Sequence, residues 1–166
     1  DLRAGRPCPH RGLGPRHLPA GFAKRTMQWA TIDGRERLLV AGRINRFIPN
    51  PHFDPVARPG SLDAYFRGKQ AGDDIREAFG ALEPIHPGYR DRSARLAMLD
   101  AQGIEACFMF PTLGVGMEEA LVADVEAAHV AFHAFNEWLL DDWGFDRDGR
   151  ILAAPYLTLL DPVRAL

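Results

Sequence analysis

The sequence predicts an α/β fold with a parallel sheet of which only the early part is present. Three observations point there. From Arg92 to Leu166 the chain alternates between helical and strand periods, in the order helix, strand, helix, strand, helix start. That is the grammar of parallel strands joined by crossover helices. Two short apolar runs, IEACFMF (104–110) and ILAAPYLTL (151–159), have the length of strands buried on both faces. Earlier, an Asp-Gly pair stands between two apolar-rich runs and predicts a hairpin.

Residues 1–25 carry six Lys/Arg against one acid, and eight of the first 22 residues are Gly or Pro. This composition opposes both helix and ladder pairing, so the segment is expected to be a disordered or irregular basic arm, with the folded domain spanning 26–166. TMQWATI and ERLLVAG flank Asp33-Gly34-Arg35 and form the expected hairpin. Residues 45–60 hold four prolines and predict a long loop. Ser61 is positioned to cap a short helix through Phe66, and Asp73-Asp74 to open another through Phe79. DRSARLAMLDAQG predicts a helix with Leu96 and Leu99 on one side and Gly103 as its stop. After the first buried strand, PTLGVG reads as a loop, and one helix is expected from about Met117 to Asp142. Its apolar stripe is Leu121, Val125, Ala128, Phe132, Phe135 and Leu139. Pro155 weakens a central placement for the second strand. Asp161-Pro162 reads as an N-cap followed by Pro at the first helical position.

At 166 residues the chain suffices for one domain with a real core. A net charge of −2 gives no global attraction to nucleic acid, and no aromatic residues interleave with the arginines of the basic arm, so no nucleic-acid partner is expected. No apolar run approaches the roughly 20 residues that span a bilayer, and no membrane partner is expected. Cys8 and Cys107 form no spaced framework, which points to a reducing, cytoplasmic setting. The initial Asp and the barely begun last helix suggest a fragment truncated at its C-terminus. An incomplete sheet exposes strand edges and apolar helix faces, which favours association, including homo-oligomers.

Several constellations invite chemistry. Glu126, His129, His133 and Glu137 fall within an arc of roughly 80° on one helix, and His at i and i+4 can chelate zinc. The sequence HVAFH lacks the Glu of a zinc-protease motif, and no second Glu-x-x-His exists, so an ordinary helix edge is favoured over a metal site. Cys8-Pro9-His10 supplies two ligand types but not the three or four that zinc needs. His10, His129 and His133 therefore remain weak metal candidates. Phe110-Pro111-Thr112, just past the carboxyl end of a strand, and Tyr156, near the end of the next, occupy positions where parallel α/β folds place ligand pockets. No nucleophile elbow, phosphate loop or dinucleotide fingerprint is present.

The block YRDRSARLAMLDAQGIEACFMFPTLGVGMEEAL, followed by AFNEWLLDDWGFDRDGRILAAPYLTLLDP, resembles the amidohydrolase-related family of metal-dependent enzymes. The branch is the one that includes aminocarboxymuconate-semialdehyde decarboxylase-like enzymes. The resemblance runs from about His17 to Leu166. It implies a (β/α)8 barrel, of which this chain holds the early strands and helices, with a divalent metal, usually zinc, at the C-terminal rim. It implies hydrolysis or non-oxidative decarboxylation of a small carbonyl, amide or carboxylate substrate. In that family an acid-x-His or His-x-His ends the first strand. RPCPHRGLGPR stands at that place here and contains neither, so no family ligand carries over onto this chain, and the chain alone is expected to be inactive.

Two other functions stay open beside the enzyme fragment. One is a binding or interaction module using Trp138, Trp143 and the helical face. The other is an enzyme whose metal site is rebuilt from Cys8, His10, His129 and His133.

Overall fold

The computed structural model describes residues 16–46, 53–69, 79–111 and 114–165. Three small sheets and a set of helices make up a mixed α/β chain, and among the described residues no closed barrel forms.

The predicted hairpin is present. Strands β1 (Met27–Ile32) and β2 (Arg35–Val40) pair antiparallel with Ile32 opposite Arg35, leaving Asp33 and Gly34 as a two-residue turn. Both turn residues have positive φ, 51° and 71°, the handedness that matches the twist of the paired strands. A second such turn at Ala41-Gly42 adds β3 (Arg43–Ile44), which was not anticipated because Ala is a poor signal for a left-handed position.

The proline-rich stretch is not all loop. Strand β4 (Val56–Ala57) pairs antiparallel with β5 (Leu82–Glu83). Between them lies the short helix α1 (Asp63–Phe66), whose cap is Leu62 rather than Ser61. Leu62 already has helical backbone angles and offers no oxygen to the first N–H groups, so the expected Ser61 cap is not realised. The helix expected from Asp73 lies outside the described residues, apart from its last position.

Helix α2 (Arg92–Ala101) starts and stops where its residues direct. Asp91 accepts a hydrogen bond from the Ala94 N–H at 2.8 Å. At the other end Ile104 N–H donates to the Leu99 carbonyl and Gly103 N–H to that of Asp100, with Gly103 at φ 67°. This pair of bonds satisfies carbonyls that the helix leaves open. A turn of 3-10 helix (Pro87–Tyr89) precedes α2.

Strands β6 (Cys107–Met109) and β7 (Ile151–Ala153) pair in parallel, Phe108 opposite Leu152, as the alternating rhythm predicts. Both are shorter than the apolar runs that announce them. The expectation of burial on both faces fails at β6. Cys107 and Met109 pack on one side, whereas Phe108 is 71% exposed. Side chains alternate across a strand, and only one face of this pair is covered by helices.

The single helix expected over 117–142 is two. Helix α3 (Gly114–Leu121) begins inside the segment expected to be a loop, and α4 (Val125–Asp142) follows a break at 122–124. Asp124 makes the break: its carboxylate accepts from the Ala127 N–H at 3.1 Å and so caps α4. Arg25 fixes that carboxylate from outside, donating from Nε at 2.9 Å and from Nη2 at 2.7 Å, and also reaches Glu126. Helix α5 (Pro162–Ala165) ends the described chain, with Asp161 accepting from the Val163 N–H as anticipated.

Helix α4 lies between two apolar clusters. Ala128 and Phe132 join Leu38, Val40 and Leu121 under the hairpin. Two turns further on, Leu139 joins Leu99, Trp143, Ile151 and Ala153 beneath the parallel pair. The predicted stripe therefore holds, with Ala127 and Ala134 also fully buried. Two arginines tie the second cluster down. Arg92 donates to the Trp143 carbonyl at 2.7 Å and pairs with Asp148, and Arg150 joins Asp100 and the Glu105 carbonyl. The described part of the basic arm is irregular but tethered: His17 Nε2 lies 2.9 Å from Asp141, and Arg16 reaches Asp142.

Candidate functional site

A cavity of about 220 Å³ opens between the hairpin and helices α3 and α4, at the carboxyl ends of β6 and β7. Trp29 and Leu38 form one wall, and Met117 and Phe132 the other. Pro111, Gly114, Tyr156 and Phe53 also line it. The lining is almost wholly apolar, so a ligand here would lose water on most of its surface, and each polar contact would weigh heavily.

Few polar groups face this space. Thr26 is buried and donates its hydroxyl to the Phe22 carbonyl at 2.9 Å. The Trp29 indole Nε1 is buried and has no acceptor among the described residues. An indole N–H usually finds a partner when buried, and this one is buried behind the wall without one.

Tyr156 is held on three sides. Its ring stacks on Phe132 with centroids 4.1 Å apart. Its backbone N–H and carbonyl both bond to the Asn136 side chain, at 2.8 Å each. Its hydroxyl donates to Glu118 at 3.1 Å, and the same carboxylate accepts from the Thr158 hydroxyl. Burial, and then the hydrogen bond to Glu118, push the Tyr156 phenol above its ordinary range, so it stays neutral at physiological pH. Gly114 is part of this fit. A Cβ there would come within 2.5 Å of the Tyr156 ring, so the start of α3 passes the aromatic face only as glycine.

Of the four residues expected to line a pocket, Pro111 and Tyr156 are at the cavity. Phe110 is 69% exposed and does not line it, and Thr112 lies outside the described residues. Trp29, Glu118 and Asn136 were missed. Asn136 carried a signal, an amide beside the Phe132 stripe of an otherwise apolar helix face. Glu118 and Trp29 carried none, because their roles depend on contacts distant in sequence.

Of the metal candidates, His129 and His133 fall among the described residues. His10 and Cys8 lie outside the described residues. His133 is exposed, and His129 is half-buried with its Nε2 unpartnered. Among the described residues no group of three or more His, Cys, Asp or Glu side chains could hold a metal ion. The described residues do not fit a metal centre. Among them, too, no helix is long and apolar enough to cross a membrane.

No protein-family model matches the chain, and no significant match is found among curated proteins. Solved structures do match. One is the crystal structure of the amidohydrolase map2389c from Mycobacterium avium subsp. paratuberculosis K-10, with a TM-score of 0.83 and 47% sequence identity. The match covers 91% of this chain and 40% of that one, so the chain spans well under half the length of its relative. In sequence and in fold the chain is thus similar to part of an amidohydrolase.

Proposed function

We propose that the chain supplies part of a metal-dependent hydrolase or non-oxidative decarboxylase acting on a small carbonyl, amide or carboxylate substrate. The observation that carries this is the cavity at the carboxyl ends of β6 and β7, walled by Pro111 and Tyr156, in a chain 47% identical to part of an amidohydrolase. Strand ends of this kind are where parallel α/β folds gather their ligand sites. In this reading the cavity forms an apolar wall of the substrate site. Tyr156 is fixed there as a neutral hydrogen-bonding group. A divalent metal, zinc by chemical preference for a hydrolytic centre, would be held by residues outside those described.

The test is a chimera in which this chain replaces its matching segment in the mycobacterial amidohydrolase. It is assayed with zinc against panels of small amides, esters and carboxylic acids. Turnover that drops when Leu121→Trp fills the cavity supports the reading. A chimera that folds and binds zinc but turns over no compound its parent accepts would overturn it.

A further inference from the structure

No described side chain lining the cavity of about 220 Å³ carries a charge. Four carry an N–H or O–H, and each of these is turned elsewhere. Thr26 donates its hydroxyl to the Phe22 carbonyl at 2.9 Å, and Trp138 its indole N–H to Asp142 at 2.8 Å. Tyr156 donates its hydroxyl to Glu118 at 3.1 Å, and the Trp29 Nε1 is closed off from solvent and so from the cavity. The Gly114 N–H, at the start of α3, is taken by the Pro111 carbonyl at 2.8 Å. What faces the space is hydrocarbon, contributed by Trp29, Leu38, Met117 and Phe132 among others.

We propose that this cavity seats an uncharged hydrocarbon group of a ligand, an aryl ring or a branched alkyl chain. The substrate class is then one that bears such a group beside its reacting carbonyl, amide or carboxylate. A charged or hydrogen-bonding group entering here would leave water without finding a partner, which is costly. A hydrocarbon group loses nothing of the kind and gains by the transfer. An apolar cavity of about 150 Å³ stays dry and admits benzene, so one of about 220 Å³ has room for a ring with a short substituent. The reacting group itself belongs outside this space, because charge developing on it would meet no donor here. That the seated group is part of a substrate rests on the reaction proposed above, whereas the seat rests on the cavity alone.

The experiment titrates the full chain with toluene, benzoate and benzylamine, rings of one size that differ in charge. Binding is followed by tryptophan fluorescence and by thermal unfolding. Toluene is expected to saturate and to raise Tm, and the two charged rings to bind at least about tenfold more weakly. Along benzene, toluene and ethylbenzene, each added carbon should tighten binding about threefold. Ala131→Phe, which fills the cavity from a half-buried position, should abolish toluene binding with circular dichroism unchanged. The comparison of charges needs no variant, so it decides the matter even where Ala131→Phe does not fold. Absence of saturable toluene binding, charged rings binding as tightly as toluene, or toluene binding indifferent to a folded Ala131→Phe variant would each overturn the proposal. In the chimera described above, toluene should compete with any substrate that is turned over. Turnover by the chimera without toluene binding overturns this proposal alone. Toluene binding by a folded, zinc-loaded chimera that turns nothing over overturns the reaction, and with it the assignment of the group to a substrate.

Discussion

Asn136 grips Tyr156 by both of its backbone polar groups. Its Nδ2 donates to the Tyr156 carbonyl and its Oδ1 accepts from the Tyr156 N–H, each at 2.8 Å. A side-chain amide from α4 thus occupies the place that a neighbouring strand would take. Replacing it by leucine leaves two backbone groups without partners. Asn136→Leu is expected to lower stability by about 1–3 kcal/mol, read from the midpoint and slope of urea unfolding. A loss within error would mean that water satisfies the pair.

Gly114→Ala tests the close approach of helix and ring. The added methyl meets Tyr156 at 2.5 Å, and the ring can yield only by leaving its stack on Phe132. Destabilisation of about 1–3 kcal/mol is expected, as for other overpacked sites. Gly114→Ala combined with Tyr156→Ala should cost less than the sum of the two single changes.

The Tyr156 phenol is held above its ordinary value of about 10 by burial and by Glu118. For an acid whose folded value is raised, the stabilisation is complete below the unfolded value and fades as pH rises through the folded one. Absorbance at alkaline pH should therefore show one tyrosine ionising late. Glu118→Gln, which removes the negative charge, should bring that step to lower pH. An unchanged titration would assign the shift to burial alone.

At the acid end the Arg25 guanidinium and the Ala127 N–H hold the Asp124 carboxyl below the usual range, and Arg92 does the same for Asp148. Depressed carboxyls stabilise the fold above their unfolded value of about 4 and cease to do so as pH falls through the folded one. Asp124→Asn should be less stable than the parent at neutral pH, by an amount that narrows towards about pH 2. Unfolding curves at several pH values give the comparison, and a gap independent of pH would assign the effect to capping alone.

What could be read in advance follows the range of the interactions. The Asp33-Gly34 hairpin and the two ends of α2 are set by residues within a few positions of one another, and they are where the sequence places them. The break before α4 was also written locally, in Asp124, but the apolar stripe continues across it from Leu121 to Val125 and hides the interruption. Burial at β6 was misjudged for a different reason. An apolar run states that Phe108 avoids water, not whether a second layer is there to cover it. The cavity depends on the hairpin meeting α3 and α4, a contact spanning nearly a hundred residues. Only Pro111 and Tyr156, placed by the rule that ligands gather at strand ends, could be anticipated.

Because α4 contributes Phe132 to one apolar cluster and Leu139 to the other, neither half of the chain can melt without exposing part of the same helix. The hairpin is a local structure by its own contacts, yet its fate is bound to a parallel pair with which it shares no strand. The helix acts as a common keel: damage at Leu99 or Ile151 should be felt at Trp29, and a ligand seated in the cavity should slow the opening of hairpin and parallel pair alike.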